Sequence, residues 1–177
     1  MGANLNMTKE EEWDLLAQIH EGEKAICIQA WTIPEVYSHC STIMDFKNRI
    51  RMGELEEYLK ELAKKEHPKA IELLAKHEHL EELRHRIVKQ AECIIPKILE
   101  PIINGAVIAL LFEELLDLAE YALYRSTRVF DYSRGLPYRT YARWTIRALC
   151  SRYIDHKMNG EEWAPSEPVG RIVFVPV

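Results

Sequence analysis

Apolar residues recur at intervals of three and four positions along almost the whole chain, and this spacing constrains its fold more than any other feature. The first such stretch opens with Thr8 and Glu11, which stand at the spacing of a capping box. The apolar positions that follow are Trp13, Leu16 and Ile19. The pattern predicts a first helix that ends at Gly22.

Prolines divide the rest of the pattern into separate helices. Leucines mark apolar stripes through a long charged stretch, residues 52–95, and Pro68 predicts a break between two helices there. Pro96 and Pro101 lie inside an apolar run, so they predict a kinked or interrupted helix. The tripeptide "NGA" at 104–106 predicts a turn before the next helix.

Two more helices complete the pattern. One begins at Phe112 and ends in the turn signal "DYSRG", residues 131–135, and the other runs from about Pro137 to His156. Three prolines then break up a tail that contains the strand-like "RIVFV". We therefore expect an all-α fold, a helical body with a short extended C-terminal tail.

Chain length, the length of apolar runs and cysteine spacing indicate what class of protein this is. At 177 residues the chain is long enough for one ordinary core. No apolar run reaches the roughly 18 to 20 residues that cross a bilayer, and the N-terminus lacks the apolar core of a signal peptide, so a cytoplasmic protein without a membrane partner is expected. The cysteines are widely spaced and predict reduced, mostly buried thiols: Cys27, Cys40, Cys93 and Cys150.

No pattern in the chain points to catalysis. The many acidic residues form no motif for general acid or base work, and there is no Gly-rich phosphate loop or nucleophile elbow. His77, Glu81 and His85 share one helical face as a candidate metal set, but a solvated charged face is favoured because no further ligands accompany them. We expect no enzymatic activity, metal or cofactor.

Basic residues are concentrated in one part of an acidic chain. The formal net charge is -5, yet residues 125–157 contain eight basic and two acidic residues, a local charge of +6 that leaves -11 for the remainder. Such asymmetry directs polyanions to one surface and repels them elsewhere.

Arginines and aromatic residues alternate in this basic segment. Arg139, Arg143 and Arg147 recur every four residues as a ridge along one helix, and aromatic residues lie on an adjacent face: Tyr138, Tyr141 and Trp144. Aromatic faces beside arginines suit unstacked bases of single-stranded nucleic acid. The alternative is that the aromatics belong to the core and the arginines to a solvated face. The remaining tryptophans are expected to be core or interface residues: Trp13, Trp31 and Trp163.

The stretch "FDYSRGLPYRTYARWTIRALCSRYIDH", residues 130–156, closely resembles the helix with which bacterial RNA polymerase sigma factors of the sigma-70 family recognise the minus-ten promoter element. The match is ungapped. Residues 7–25, "MTKEEEWDLLAQIHEGEKA", resemble region 1.2 of that family, and residues 111–131 fall where region 2.2 should be. The resemblance implies a region 1.2-like helix over 1–26, a helical insert over 27–88, a sigma region 2-like part over 89–157 and a tail over 158–177.

The resemblance also implies a role for each matched residue. A flipped-out adenine of the nontemplate strand would stack on Tyr141, and Trp144 would wedge against the base pair upstream. Arg143 and Arg147 would contact phosphates, which fixes register without reading sequence. The full implied DNA-binding set is Phe130, Asp131, Arg134, Tyr138, Thr140, Tyr141, Arg143, Trp144, Arg147 and Ser151.

The implied protein partner is core RNA polymerase, through the clamp helices of its β′ subunit. The polymerase-binding residues implied on the region 2.2-like helix are Glu114, Asp117, Glu120 and Tyr124. Residues 117–120 depart from the usual Q-E-G-N of the family, which changes this contact in detail.

Three departures concern the DNA site. Thr145 stands in place of a second tryptophan, Ala148 in place of a glutamine and Leu136 in place of an aromatic residue. We expect weaker melting and looser specificity upstream of the adenine, with the adenine pocket kept.

The tail "GRIVFVPV" faintly resembles the start of region 3, and no segment for minus thirty-five recognition follows it. Either the sequence is a piece of a longer sigma factor, or the protein is a partial sigma factor that needs a separate partner or activator for upstream contacts. A second hypothesis is an adaptor or decoy that uses this fold to bind polymerase or an anti-sigma factor without opening DNA.

Overall fold

The computed structural model describes residues 7–43, 49–103, 111–131, 135–163 and 172–174. The expected all-α class is confirmed, because helices dominate this part of the chain. The helices are α1 (Lys9–Ala30), α2 (Pro34–Ile43), α3 (Met52–Lys64), α4 (Pro68–Ala91), a 3-10 turn (Glu92–Ile94), α5 (Ile95–Leu99), α6 (Phe112–Val129) and α7 (Tyr138–Met158). Two short strands are β1 (Arg49–Arg51) and β2 (Ile172–Phe174).

Helix α1 begins as predicted but ends later. The backbone N–H of Thr8 donates to Glu11 Oε2 at 2.7 Å, and the N–H of Glu11 donates to Thr8 Oγ1 at 3.2 Å, which is the reciprocal capping box. The predicted end at Gly22 is wrong, because α1 continues to Ala30. A Cβ at Gly22 would lie 2.7 Å from Leu80 Cδ2, so this glycine allows close packing of α1 against α4 and does not stop the helix.

The predicted break at Pro68 is confirmed. Helix α3 buries a leucine stripe, Leu55, Leu59 and Leu62, and ends at Lys64. Glu66 then takes a left-handed conformation with φ of 60°, and Pro68 is the first residue of α4, where its missing N–H costs no hydrogen bond. The ring Nδ1 of His67 accepts from the N–H of Ala70 at 3.3 Å.

The apolar run around the next prolines forms an interrupted helix, also as predicted. Helix α4 gives way to the 3-10 turn and then to α5, in which Pro96 lies in the first turn. The predicted "NGA" turn at 104–106 lies outside the described residues.

The chain divides into two compact units, and the division falls inside α1 and α4. One unit comprises 1–14 and 84–168, and its core lies where α5, α6 and α7 pack together. The core residues of these three helices include Ile95, Ile98, Leu115, Leu123, Ala142 and Ile146. The division into a region 1.2-like helix, an insert, a region 2-like part and a tail, which the family resemblance implies, remains a prediction.

The other unit comprises 15–83 and 169–177. Here β1 pairs with β2 in antiparallel register, with Ile50 opposite Val173. The strand-like character of "RIVFV" is therefore confirmed at Ile172–Phe174, whereas the sequence analysis missed its partner, β1.

His77 differs from the expectation of a solvated face. Its side chain is buried, and its Nε2 lies 3.8 Å from Glu56 Oε2 and 3.7 Å from Glu81 Oε1. The solvated interpretation is wrong for His77 because α3 covers this face of α4 with Glu56. The part of the chain that the structure describes holds no group of three metal-ligating side chains suited to an ion.

All cysteines are free, and Cys93 alone of the four is exposed, which confirms the expectation of mostly buried thiols. Burial raises the pKa of Cys27 to about 12 and the pKa values of Cys40 and Cys150 to about 11. Within the described ranges, none of the helices has the length and apolar character needed to cross a membrane.

Candidate nucleic-acid interface

The basic segment of the sequence folds into the end of α6, the connection after it and the whole of α7. Helix α7 spans Tyr138–Met158, close to the predicted bounds. Pro137 precedes it in an extended conformation, and the carbonyl of Pro137 accepts from the N–H of Thr140 at 3.0 Å. Proline suits this position because its ring has the φ that a helix start needs.

Two of the predicted aromatic residues lie beneath the surface. Tyr138 is 0% exposed and Phe130 is buried, and their rings meet edge to face with centroids 5.5 Å apart. The Tyr138 hydroxyl donates to the carbonyl of Leu123 at 2.8 Å and lies 2.9 Å from Ser126 Oγ. Burial raises the pKa of Tyr138 above its ordinary value of 10.0. These two rings support the surface from below and present no open face to a base.

Tyr141 and Trp144 are the aromatic residues at the surface. Tyr141 is half-buried, and its ring rests against Phe130 with centroids 5.5 Å apart and an interplanar angle of 51°. Trp144, one turn further along α7, is 55% exposed. Phe130 thus packs against one side of Tyr141, whereas the Trp144 side chain is exposed enough to stack on a planar ligand.

The three arginines of the ridge differ in their contacts. Arg139 Nε lies 3.5 Å from Glu12 Oε2, so this arginine is engaged by α1. Arg143 and Arg147 are exposed on the following turns. Because exposed arginines attract phosphates, these two are the better candidates for backbone contacts.

A groove of about 530 Å³ opens beside Tyr141 and Trp144. We call it the arginine–tryptophan groove; its principal lining residues are Arg125, Tyr141, Trp144, Thr145, Arg152 and Trp163. Among the described residues that line it, the charged ones are all arginines. Its volume falls within the range of roughly 300–1,000 Å³ that is usual for small-ligand sites.

The structure describes some, but not all, of the other predicted DNA-binding residues. Asp131, just after the end of α6, and Thr140, in the first turn of α7, are both half-buried, and Ser151 is exposed on α7. Arg134 lies outside the described residues. The contacts therefore join Phe130, Tyr138 and Tyr141 directly, whereas no contact of the described residues ties Ser151 to them.

The predicted polymerase-binding acids lie along α6. Glu114, Asp117 and Glu120 are all exposed, and Glu114 Oε2 lies 3.3 Å from Lys157 Nζ. Tyr124 is engaged within the protein, because its hydroxyl accepts from Arg128 at 3.1 Å and the same guanidinium lies 5.3 Å from its ring centroid. The acids thus offer an open surface, whereas Tyr124 contacts Arg128 within α6 and His85 of α4, whose ring centroid lies 5.5 Å from its own.

The sequence pattern assigned no role here to Glu12, which lies beside Arg139, or to three residues that line the groove: Arg125, Arg152 and Trp163. Gly160 just past the end of α7 is the one signal that could have placed Trp163, since glycine there favours a chain reversal. Comparison of the chain with protein-family models, with curated proteins and with solved structures found no match.

Proposed function

We propose that the protein is a sigma-type promoter-recognition subunit, which binds core RNA polymerase in the cytoplasm and captures the nontemplate strand of the minus-ten element. It is not an enzyme, and the catalysis belongs to the polymerase. The observation that carries the proposal is the surface of α7, where Tyr141 is held by Phe130, and Trp144 and two exposed arginines lie beside it.

The physical case begins with base capture. Removing a base from a duplex costs a few kcal/mol of stacking and pairing, and an aromatic face offsets that cost. Stacking on an aromatic side chain contributes about 1–3 kcal/mol per base. Tyr141 suits this role because its ring is held on one side by protein and remains partly exposed on the other.

Charge supports the same proposal. Arg143 and Arg147 can neutralise phosphates on either side of a captured base, which fixes the register of the strand. The chain as a whole carries -5, so the free protein is expected to bind DNA poorly. Binding of core polymerase through the exposed acids of α6 would then make promoter DNA accessible to α7.

The test is fluorescence anisotropy of a labelled single-stranded minus-ten oligonucleotide with core polymerase and this protein at fixed salt. Tight binding that exceeds core polymerase alone, and that falls when the key adenine is replaced, supports the proposal. Tyr141→Ala should remove the gain while leaving association with polymerase unchanged. The matched control is Tyr37→Ala, since Tyr37 is an exposed tyrosine of the other compact unit.

The second candidate function is an adaptor or decoy that occupies polymerase, or binds an anti-sigma factor, without opening promoters. The exposed acids of α6, Glu114, Asp117 and Glu120, favour it, because an acidic surface can attract a basic protein partner without DNA. Thr145 and Ala148, where the family has a tryptophan and a glutamine, point the same way. Binding to polymerase with no gain in oligonucleotide affinity would establish this candidate over the first.

A further inference from the structure

Trp163 lies beyond the end of α7, yet it lines the arginine–tryptophan groove together with the helix residues Tyr141 and Trp144. The chain reaches this position by a tight reversal. The N–H of Glu161 donates to the carbonyl of His156 at 2.9 Å, and the N–H of Gly160 donates to the carbonyl of Lys157 at 3.1 Å. These two bonds, with Gly160 at φ of 70°, form a Schellman motif.

Ring contacts then hold Trp163 against the last turns of α7. Its ring is nearly parallel to that of His156, with centroids 6.0 Å apart and an interplanar angle of 11°. Tyr153 contacts it from a second direction, with centroids 6.1 Å apart. His156 is itself held, because its Nδ1 lies 2.5 Å from Glu161 Oε2 across the reversal. Trp163 is therefore positioned by its surroundings and is half-buried.

Two of the helix residues that line the groove are small. Thr145 and Ala148 occupy the positions along α7 between Tyr141 and Arg152, and Ala148 is exposed. A bulky side chain at either position would reduce the space in the groove. The lining thus combines aromatic side chains, arginines and small residues.

Charge distinguishes this groove from another hollow that Trp163 also lines. That second hollow, about 700 Å³, is lined by Glu161 and Glu162 as well as Lys157. Acidic side chains disfavour a phosphate there, whereas Arg125 and Arg152 favour one in the arginine–tryptophan groove. A ligand that is both aromatic and anionic therefore fits the arginine–tryptophan groove better than the acidic hollow, and a nucleotide has both properties.

We infer that Trp163 is a further DNA-binding residue, which forms a second aromatic wall and holds a second unstacked base of the strand captured by Tyr141. This inference rests on the proposed function, since it assigns an additional base to the same single strand. Arg125 and Arg152 would contact the phosphates that flank this base. Thr145 replaces a tryptophan of the family pattern, so one aromatic face is missing on α7. Stacking of a second base on Trp163 would compensate for that loss.

The experiment uses the protein assembled with core polymerase and a set of single-stranded minus-ten oligonucleotides, each with one abasic position. With the wild-type protein, abasic substitution should weaken binding at two positions, the adenine and one other. Trp163→Ala should weaken binding to the intact strand about tenfold, within the range set by one base stack, and should remove sensitivity at the second position alone. Trp163→Phe should retain most of the affinity because it keeps an aromatic face.

Ala148→Phe provides an independent variant that leaves Trp163 in place. It should fill the groove and reproduce the loss of sensitivity at the second abasic position. The matched control is Trp31→Ala, which removes a half-buried tryptophan from the other compact unit.

The outcomes separate the inference from the proposed function. Adenine-dependent binding that needs Tyr141 but is unchanged in both Trp163→Ala and Ala148→Phe would overturn the inference and leave the proposed function standing. Loss of sensitivity at the adenine and the second position together in Trp163→Ala would also overturn it, because Trp163 would then be acting on the whole helix. No binding beyond core polymerase with the wild-type protein would overturn both.

Discussion

The carboxylate of Glu12, in the first turns of α1, reaches the start of α7, where its Oε2 lies 3.5 Å from Arg139 Nε. It also accepts a hydrogen bond from the backbone N–H of Tyr138, the first residue of α7. Helix α7 has no acidic residue in its own first turn, so Glu12 supplies the negative charge that a helix N-terminus favours. The segment resembling region 1.2 thereby holds the start of the helix that carries the proposed DNA site.

Replacing Glu12 should change the pH dependence of stability. Burial raises the pKa of Glu12 above its ordinary value of 4.5, and attraction to Arg139 offsets this only in part. The folded state therefore binds more protons than the unfolded state in the window above 4.5, so wild-type stability should fall as pH rises through the folded pKa. Glu12→Gln should lack this decline in urea denaturation series from pH 4 to pH 8.

Glu10→Gln is the matched control for that series, since it removes an exposed acid from the same helix. Parallel pH profiles for wild type and Glu12→Gln would show that Glu12 does not titrate in this window. Glu12→Ala, which also removes the acceptor for the Tyr138 N–H, should be less stable than Glu12→Gln by about 1 kcal/mol.

Removing the Tyr138 hydroxyl should destabilise the fold. Tyr138→Phe keeps the ring contact with Phe130 but loses the bonds to the Leu123 carbonyl and to Ser126 Oγ. We expect a loss of about 1 kcal/mol in the free energy of unfolding, measured by urea denaturation. Tyr37→Phe, at an exposed site, should change stability far less, and an equal effect of the two variants would refute the buried role of the Tyr138 hydroxyl.

Adding one methyl group at two glycines should have opposite effects. Gly160 has φ of 70° with open space around a built Cβ, so Gly160→Ala introduces backbone strain alone and should cost about 1 kcal/mol. Gly53 lies in α3, also with open space, and Gly53→Ala should stabilise the fold by about 0.5 kcal/mol. Thermal unfolding of the two variants measures both, and a stabilised Gly160→Ala would contradict the left-handed reversal.

The exposed arginines of α7 should control the salt dependence of strand binding in the assembled polymerase. Each phosphate contact to single-stranded DNA contributes about 0.7 to the slope of log affinity against log salt concentration. Arg143→Ala and Arg147→Ala should each reduce the slope by about that amount. Arg86→Ala removes an exposed arginine from α4 and should leave the slope unchanged. An unchanged slope in Arg143→Ala and Arg147→Ala as well would exclude these two arginines from phosphate contact.

Thiol reactivity should distinguish one cysteine from the other three. The thiolate is the reactive form, and burial raises the pKa values of Cys27, Cys40 and Cys150 to about 11 or 12. Cys93 is exposed, so titration of the native protein with a thiol reagent should show one fast equivalent. Denaturant should release the others, and Cys93→Ser should abolish the fast phase. A second fast equivalent in the native protein would show that a buried cysteine is accessible.

Local features of the sequence were sufficient for most helix positions. The capping box at Thr8 and Glu11, the break at Pro68 and the span of α7 were predicted because each depends on residues within a few positions of one another. The strand-like tail was predicted on the same basis, from its β-branched and aromatic residues.

The candidate site was predicted less completely. Residue pattern and family resemblance selected Tyr141, Trp144 and the arginines of α7, and these do lie together at one surface. They did not show that Tyr138 is fully buried while Trp144 is exposed. Spacing on a helix tells which residues share a face, but it does not tell how far the neighbouring elements cover that face.

The chain alone was enough to predict the helical class, the main breaks between helices and the concentration of basic and aromatic residues in one segment. Tertiary structure alone decided that α1 continues past Gly22, that Glu56 covers His77 and that β1 pairs with β2. It also decided that Glu12 meets Arg139 and that Trp163 folds back to line the groove. The physical reason is that helix formation depends on contacts within one turn, whereas burial, strand pairing and the groove depend on which distant segments come together.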